Sequence, residues 1–162
     1  MQTQLRRTLG RLPGLPLCAV WVSFADELVL ELGELEEQVG QWRLRAMHRG
    51  WGLSSPGGVV LFPRALADGE AWGSAATRAF DPVLRERVES LSQGGDWHLR
   101  VRFEDGHVFT VEPDGGSSPD WQITPAVDGP WVEAGPGARV ALMLRLGRPP
   151  LEETVSPLGL IA

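Results

Sequence analysis

Apolar and polar side chains alternate residue by residue along much of this chain, the pattern of strands that bury one face. Leu17–Phe24 is rich in β-branched and aromatic residues and runs into Ala25-Asp26, which predicts a strand and a turn. Leu28, Leu30 and Leu32 then alternate with Glu27, Val29 and Glu31, predicting the second strand of a hairpin. An acidic loop, Glu34, Glu36 and Glu37, ends at Gly40. Beyond it Trp42, Leu44 and Ala46 share one face of a strand over Gln41–Met47, and Arg43 and Arg45 share the other. Pairing of this strand with Glu27–Leu32 would set Glu27 and Glu31 against the two arginines. Opposite charges commonly face each other this way across strands, and at a surface the pairing is worth little.

Two further short strands, Trp51–Ser54 and Val59–Phe62, flank the turn Ser55-Pro56-Gly57-Gly58. From Pro63 to Ala79 the pattern lapses into Ala, Gly and Ser around Trp72, which predicts a long loop. Asp81-Pro82 has the form of a helix start, with Asp81 as N-cap and Pro82 at the first helical position. Leu84, Val88 and Leu91 follow at helical spacing and Gly94-Gly95 supplies a stop, so local rules carry a helix to Ser92. The clearest unit is Trp97–Glu112. Trp97, Leu99, Val101 and Phe103 alternate with His98, Arg100 and Arg102, the chain turns at Asp105-Gly106, and Phe109 and Val111 resume the apolar face. Trp121–Thr124 and Trp131–Ala134 are short strand candidates, and Val140–Leu146 alternates as a last strand, with a helix left open. The fold class is therefore mainly β: antiparallel hairpins forming a sandwich or partly open barrel, with one short helix near Pro82. Residues 1–148 form a single β-rich domain, followed by a proline-containing tail over 149–162 that has an apolar end.

Composition supports one ordinary folded domain, since 162 residues with 43% apolar and 22% charged side chains are too apolar for a disordered chain. All basic residues are arginine, neither lysine nor asparagine occurs, and seven tryptophans stand beside no tyrosine. The codon usage of a GC-rich genome accounts for that bias. A net charge of -6 argues against nucleic acid as a partner, because phosphate backbones are held by basic surfaces. One cysteine, Cys18, excludes an internal disulfide and a multi-cysteine zinc site, and fits a cytoplasmic setting. Arg6, Arg7 and Arg11 precede the apolar run Leu12–Phe24 in the order of a signal peptide. Pro13, Gly14, Pro16 and Trp21 interrupt that run, however, and no small-residue cleavage site follows. Leu15-Pro16-Leu17-Cys18 has the outline of a lipoprotein box, but with bulky Leu17 where a small residue is needed. A membrane partner is not expected.

The catalytic motifs are absent in an informative way. Without lysine there is no phosphate-binding Gly-Lys-Ser/Thr loop and no Schiff-base chemistry, and neither G-x-G-x-x-G, H-E-x-x-H nor G-x-S-x-G occurs. His98 shares a strand face with Arg100 and Arg102, whose charge opposes a cation; His107 is a turn residue and His48 adjoins Arg49. No metal and no cofactor are expected from them. Asp96 and His98 share a face with no nucleophile between them, and Cys18 has no basic neighbour to activate it. The remaining candidates are binding residues. Arg43, Arg45, Arg100 and Arg102 form an outward arginine set suited to carboxylate or phosphate, with a solvated face paired to Glu27, Glu31 and Glu112 as the structural alternative. Trp21, Trp42 and Trp97 fall in strand patterns and belong to the core. Trp72, Trp121 and Trp131 fall in or beside loops, where tryptophan is a common interface hot spot.

Gly14-Leu15-Pro16-Leu17, Gln41-Trp42-Arg43-Leu44 with Trp51-Gly52-Leu53, and Asp96-Trp97-His98-Leu99 through Phe103-Glu104-Asp105-Gly106 together resemble an uncharacterised family of small β-rich bacterial proteins. The resemblance spans most of residues 12 to 137. It implies a compact β-rich fold with two similar strand-turn-strand halves and a strand near Val88–Leu91 in place of a full helix, and it brings no activity. The expectation for function is a non-enzymatic protein of immunity or adaptor type that binds another protein or itself. The alternative is a small-ligand-binding β-barrel, or an enzyme whose site is assembled from distant Arg, His and Asp residues.

Overall fold

The computed structural model describes residues 2–23, 25–37, 39–62, 70–94, 98–116, 119–127, 131–135 and 139–143. Asp96, Trp97, the residues from 144 onward and so the whole expected tail lie outside them. In chain order the elements begin with α1 (Gln2–Leu9), β1 (Leu17–Val22), β2 (Leu28–Leu32), β3 (Trp42–Ala46), β4 (Trp51–Ser54), β5 (Val60–Phe62) and α2 (Glu70–Ala79). A single 3-10 turn, Asp81–Val83, leads to β6 (Val88–Gln93), β7 (Leu99–Phe103), β8 (Val108–Val111), β9 (Trp121–Pro125), β10 (Trp131–Gly135) and β11 (Arg139–Met143). The molecule is mainly β, as the alternation predicts.

The strands form two antiparallel sheets, one in the order β1-β2-β3-β9-β10-β11 and the other in the order β5-β4-β8-β7-β6. They meet at one corner. There the Leu17 N–H donates to Glu86 O at 2.8 Å, Arg85 N–H to Leu17 O at 2.7 Å, and Val88 N–H to Leu15 O at 2.9 Å. No barrel closes among the described strands. Leu28, Leu30, Leu32, Leu44, Ile123 and Val132 face inward from the first sheet; Leu53, Leu99, Val101, Phe103 and Val111 face inward from the second. Trp51 touches Trp72, Phe80 and Phe109 at centroid distances of 6.1, 5.8 and 6.0 Å, and these rings belong to one buried cluster with the inward residues of both sheets.

Three local expectations change. The helix near Pro82 is confined to the 3-10 turn, and Val88–Gln93 is a strand, paired Val88↔Phe103, Leu91↔Val101 and Gln93↔Leu99 with β7. Pairing with the firm β7–β8 hairpin outweighs the helical spacing of Leu84, Val88 and Leu91, and the outcome is the strand that the resemblance implied. Within the expected loop from Pro63 to Ala79, Glu70–Ala79 is instead α2. Trp72, Ala76 and Phe80 lie at helical spacing and are buried, so the small residues around them are a packed helix seam. Gly73 brings α2 against β1, where a Cβ would stand 3.9 Å from Val22. At the N-terminus α1 is a short helix that the alternation does not signal.

The β7–β8 hairpin is as predicted, with register Leu99↔Val111 and Val101↔Phe109. Gly106 takes φ 95 in its turn, and a Cβ there would meet Pro56 at 3.1 Å, so both the backbone conformation and the close approach call for glycine.

Candidate interaction surface

Ser55 closes the β4–β5 turn twice: its N–H donates to Val59 O at 2.8 Å, and its hydroxyl accepts from the Val59 N–H at 3.2 Å. Gly58 reverses the chain at φ 80. The register then runs Leu53↔Phe62 and Ser54↔Val60, leaving Leu61 as an extra residue on β5. Such a bulge breaks the alternation of the strand and re-aims its side chains. Val59, Val60 and Leu61 are consecutive, and they are 64%, 56% and 37% exposed. Among the described strands β5 pairs with β4 alone, so this ridge lies at the edge of its sheet.

The other edge of the same sheet is managed differently. At its start β6 is tied to the N-terminal segment, with Gly14 N–H donating to Val88 O at 2.7 Å. Farther along it presents Glu89, Ser90 and Ser92, and Glu89 pairs with Arg102 at 2.5 Å. Charge and covering are the usual protection of a sheet edge; among the described residues no strand lies beyond β5, and its hairpin carries no charge. From Gly50 to Phe62 the chain contains no Asp, Glu, Arg, Lys or His. A continuous uncharged run of this kind reads in sequence as a buried hairpin, which is why the ridge escapes detection there.

The outward arginine set is not one set. Arg43 and Arg45 sit on the first sheet, Arg100 and Arg102 on the second. Arg43 and Arg45 are buried at 8% and 6% exposure, contrary to a solvated face. The predicted pairing with β2 does form, with Glu31 opposite Arg43 and Val29 opposite Arg45. Glu31 is fully buried; its Oε1 accepts from Arg43 Nε at 2.7 Å and Nη2 at 2.5 Å and from Trp21 Nε1 at 3.2 Å, while Oε2 accepts from the Gly40 N–H at 3.0 Å. The Arg43 guanidinium lies 5.3 Å from the Trp21 ring centroid. Glu27, on the same face, is buried without a hydrogen-bond partner for either carboxylate oxygen. Burial raises its carboxyl above the ordinary carboxylate range, opposed by the charge of Arg45. Arg100 and Arg102 are exposed, and Arg102 takes Glu89 as its partner.

Two of the three loop tryptophans are core residues. Trp72 is 2% exposed on α2 beneath the Arg49 guanidinium, which lies 4.4 Å from its centroid, and Trp121 is fully buried in β9. Trp131 is half-buried at the start of β10. Trp42 belongs to the core as expected, Trp21 is half-buried over the ion pair, and Trp97 lies outside the described residues. Cys18 is half-buried and its thiol donates to Glu31 O at 3.1 Å; burial, then the Glu31 carboxylate, push its pKa up, the opposite of activation.

Sequence reasoning also passed over a polar cluster where the chain crosses between sheets. His48 lies between β3 and β4, and Asp114 and Asp120 lie between β8 and β9; their ligand-type atoms fall within 4.8 Å of one another. His48 Nδ1 accepts the Gly50 N–H at 2.7 Å, so Nε2 carries the proton and donates to Asp120 Oδ1 at 3.1 Å. The same oxygen accepts the Asp114 N–H at 3.1 Å. A metal-bound histidine donates the N–H of its second ring nitrogen to an acceptor. Here that nitrogen is itself the acceptor, so the cluster acts as a latch between two crossovers.

One open cleft of about 420 Å³ lies beside the β2–β3 loop, lined by Arg11, Glu34, Glu36 and Trp42 and by Pro125 and Val127. Among the described residues no helix is long and apolar enough to cross a membrane. Comparison with family models, with curated proteins and with solved structures found no match to this chain.

Proposed function

We propose that this chain is a non-enzymatic, adaptor-like protein-binding module whose binding surface is the β5 edge. One observation carries this reading: Val59, Val60 and Leu61 are exposed together on a hairpin without charged side chains, beside which the described residues place no further strand. Burying three half-exposed aliphatic side chains contributes on the order of 3 kcal/mol. Backbone N–H and C=O groups on the outer side of β5 add hydrogen bonds to an extended segment laid along it. The net charge of -6 favours a protein over a nucleic acid as the bound partner. A small-ligand carrier would need a polar cavity within the core, and the packing of Trp51, Trp72, Phe80 and Phe109 in that core supports the protein-binding reading instead.

A photo-reactive phenylalanine analogue placed at position 60, and at position 92 on the opposite edge as control, tests the proposal in cells that make the protein. Covalent protein adducts are expected from position 60 and not from position 92. The same yield from both positions, or none from 60, refutes it.

A further inference from the structure

We infer that the cleft beside the β2–β3 loop is a binding site for a small zwitterion with an apolar body, an amino acid or a short peptide with aliphatic side chains. It lies on the first sheet and β5 on the second, so the cleft and the β5 edge stand or fall separately. One part of its lining is apolar. Trp42 sits opposite Pro125 in the β3–β9 ladder, the Ala126 N–H donates to Gln41 O at 2.9 Å, and Val127, 76% exposed, continues that surface. Glu34 and Glu36 line the cleft from the β2–β3 loop and Arg11 from the segment after α1. The loop is preformed. Glu36 and Val39 exchange backbone hydrogen bonds at 2.8 and 2.9 Å, the Gly33 N–H donates to Pro16 O at 2.8 Å, and the Gly40 N–H donates to the buried Glu31 carboxylate at 3.0 Å. A Cβ on Gly40 would come within 2.8 Å of the Leu32 backbone, so the end of the loop is pressed against β2. Arg11 is fixed at its base, because its N–H donates to Thr8 O at 3.2 Å and the next residue, Leu12, is fully buried.

Arg11, Glu34 and Glu36 are exposed and line one cleft, yet among the described residues none of them makes an ion pair. Both signs of charge are therefore open to a ligand, and this sets its class. A lone anion would meet two carboxylates, a lone cation would meet a guanidinium, and an uncharged apolar body would strand all three from water. A zwitterion offers its carboxylate to the paired N–H donors of Arg11 and its ammonium to Glu34 or Glu36, while an aliphatic side chain covers Trp42, Pro125 and Val127. The volume of about 420 Å³ falls within the range of small-ligand sites. Because the cleft is open, water screens both ion pairs and binding is weak, with a Kd on the order of 1 mM.

Titration of the isotope-labelled full chain with leucine and with leucyl-leucine, up to roughly 20 mM and followed by NMR, reads the site directly. Both should shift the Gly40, Gln41 and Ala126 amides and the Trp42 indole N–H saturably. Isocaproate, which lacks the ammonium, and isopentylamine, which lacks the carboxylate, should each bind about fivefold more weakly than leucine. Arg11→Gln should abolish the advantage of leucine over the amine, and Glu34→Gln with Glu36→Gln its advantage over the acid. These side chains are exposed and unpaired, so both variants should keep the wild-type melting midpoint. Tighter binding of leucine or of leucyl-leucine identifies a free amino acid or a peptide as the occupant, and either supports the site. No saturable shift with either zwitterion, or equal binding of leucine, the acid and the amine, overturns it.

Discussion

Glu31→Gln is a change of one atom at a side chain of the first sheet that accepts from Arg43, Trp21 and the Gly40 N–H. The carboxylate is fully buried and neutralises Arg43, whose side chain is itself only 10% exposed. An amide cannot accept both from Arg43 through one oxygen and from the Gly40 N–H through the other, because one of those positions becomes an NH2 donor facing a donor. Breaking a buried ion pair by removing one partner costs roughly 3–5 kcal/mol. In a domain of this size each kcal/mol moves the melting midpoint by about 2–4 °C, so a fall on the order of 10 °C is expected. Arg43→Met should cost a similar amount, since it strands the buried carboxylate. The double variant Glu31→Leu with Arg43→Met should recover most of the loss, because a well-packed apolar replacement of both partners is often neutral. With Glu31→Leu as the matching single variant, urea and thermal melts followed by circular dichroism supply all four corners of the cycle. If Glu31→Gln stays within 1 kcal/mol of the wild type, or the double variant loses the sum of the singles, the pair is a solvated surface contact and the reasoning is wrong.

Three further outcomes follow from the same face and from the core. The Glu27 carboxyl is raised above its ordinary 4.5 chiefly by burial, so the folded state holds its proton to higher pH than the unfolded chain does. Its contribution to stability is full below that value and is lost as pH rises through the raised pKa; Glu27→Gln should flatten this limb of the stability–pH curve, and an unchanged slope in urea melts would count against it. Asp120→Ala leaves the His48 Nε2–H and the Asp114 N–H without their acceptor and should cost about 2 kcal/mol, with Asp120→Asn milder; a midpoint equal to wild type removes the latch. Trp72→Ala should cost roughly 3–5 kcal/mol in a melt, while a folded, equally stable variant that has lost only binding would return Trp72 to the role of a surface hot spot.

What the alternation in this chain reveals is the inward face of each strand, and it does so reliably where a turn fixes the partner, as at Asp105-Gly106. It is silent on what covers the other face. Arg43 and Arg45 were legible as the polar side of β3, and even their facing of β2 was legible, but not that this side would be buried as deeply as the apolar one. Local rules also fail where a distant strand offers more than they do. Val88–Gln93 leaves its helical spacing because β7 supplies a ladder, and Glu70–Ala79 becomes helix because Trp51 and Val22 give Trp72 and Gly73 something to pack on. The β5 edge is the extreme case. Whether Val59, Val60 and Leu61 lie in a core or on a surface depends on the strand order, in which β4 takes β8 as its other neighbour and no described strand lies beyond β5. Nothing within the hairpin records that choice, so its lack of charge, which reads as burial in the sequence, becomes evidence for binding only once the strand order is known.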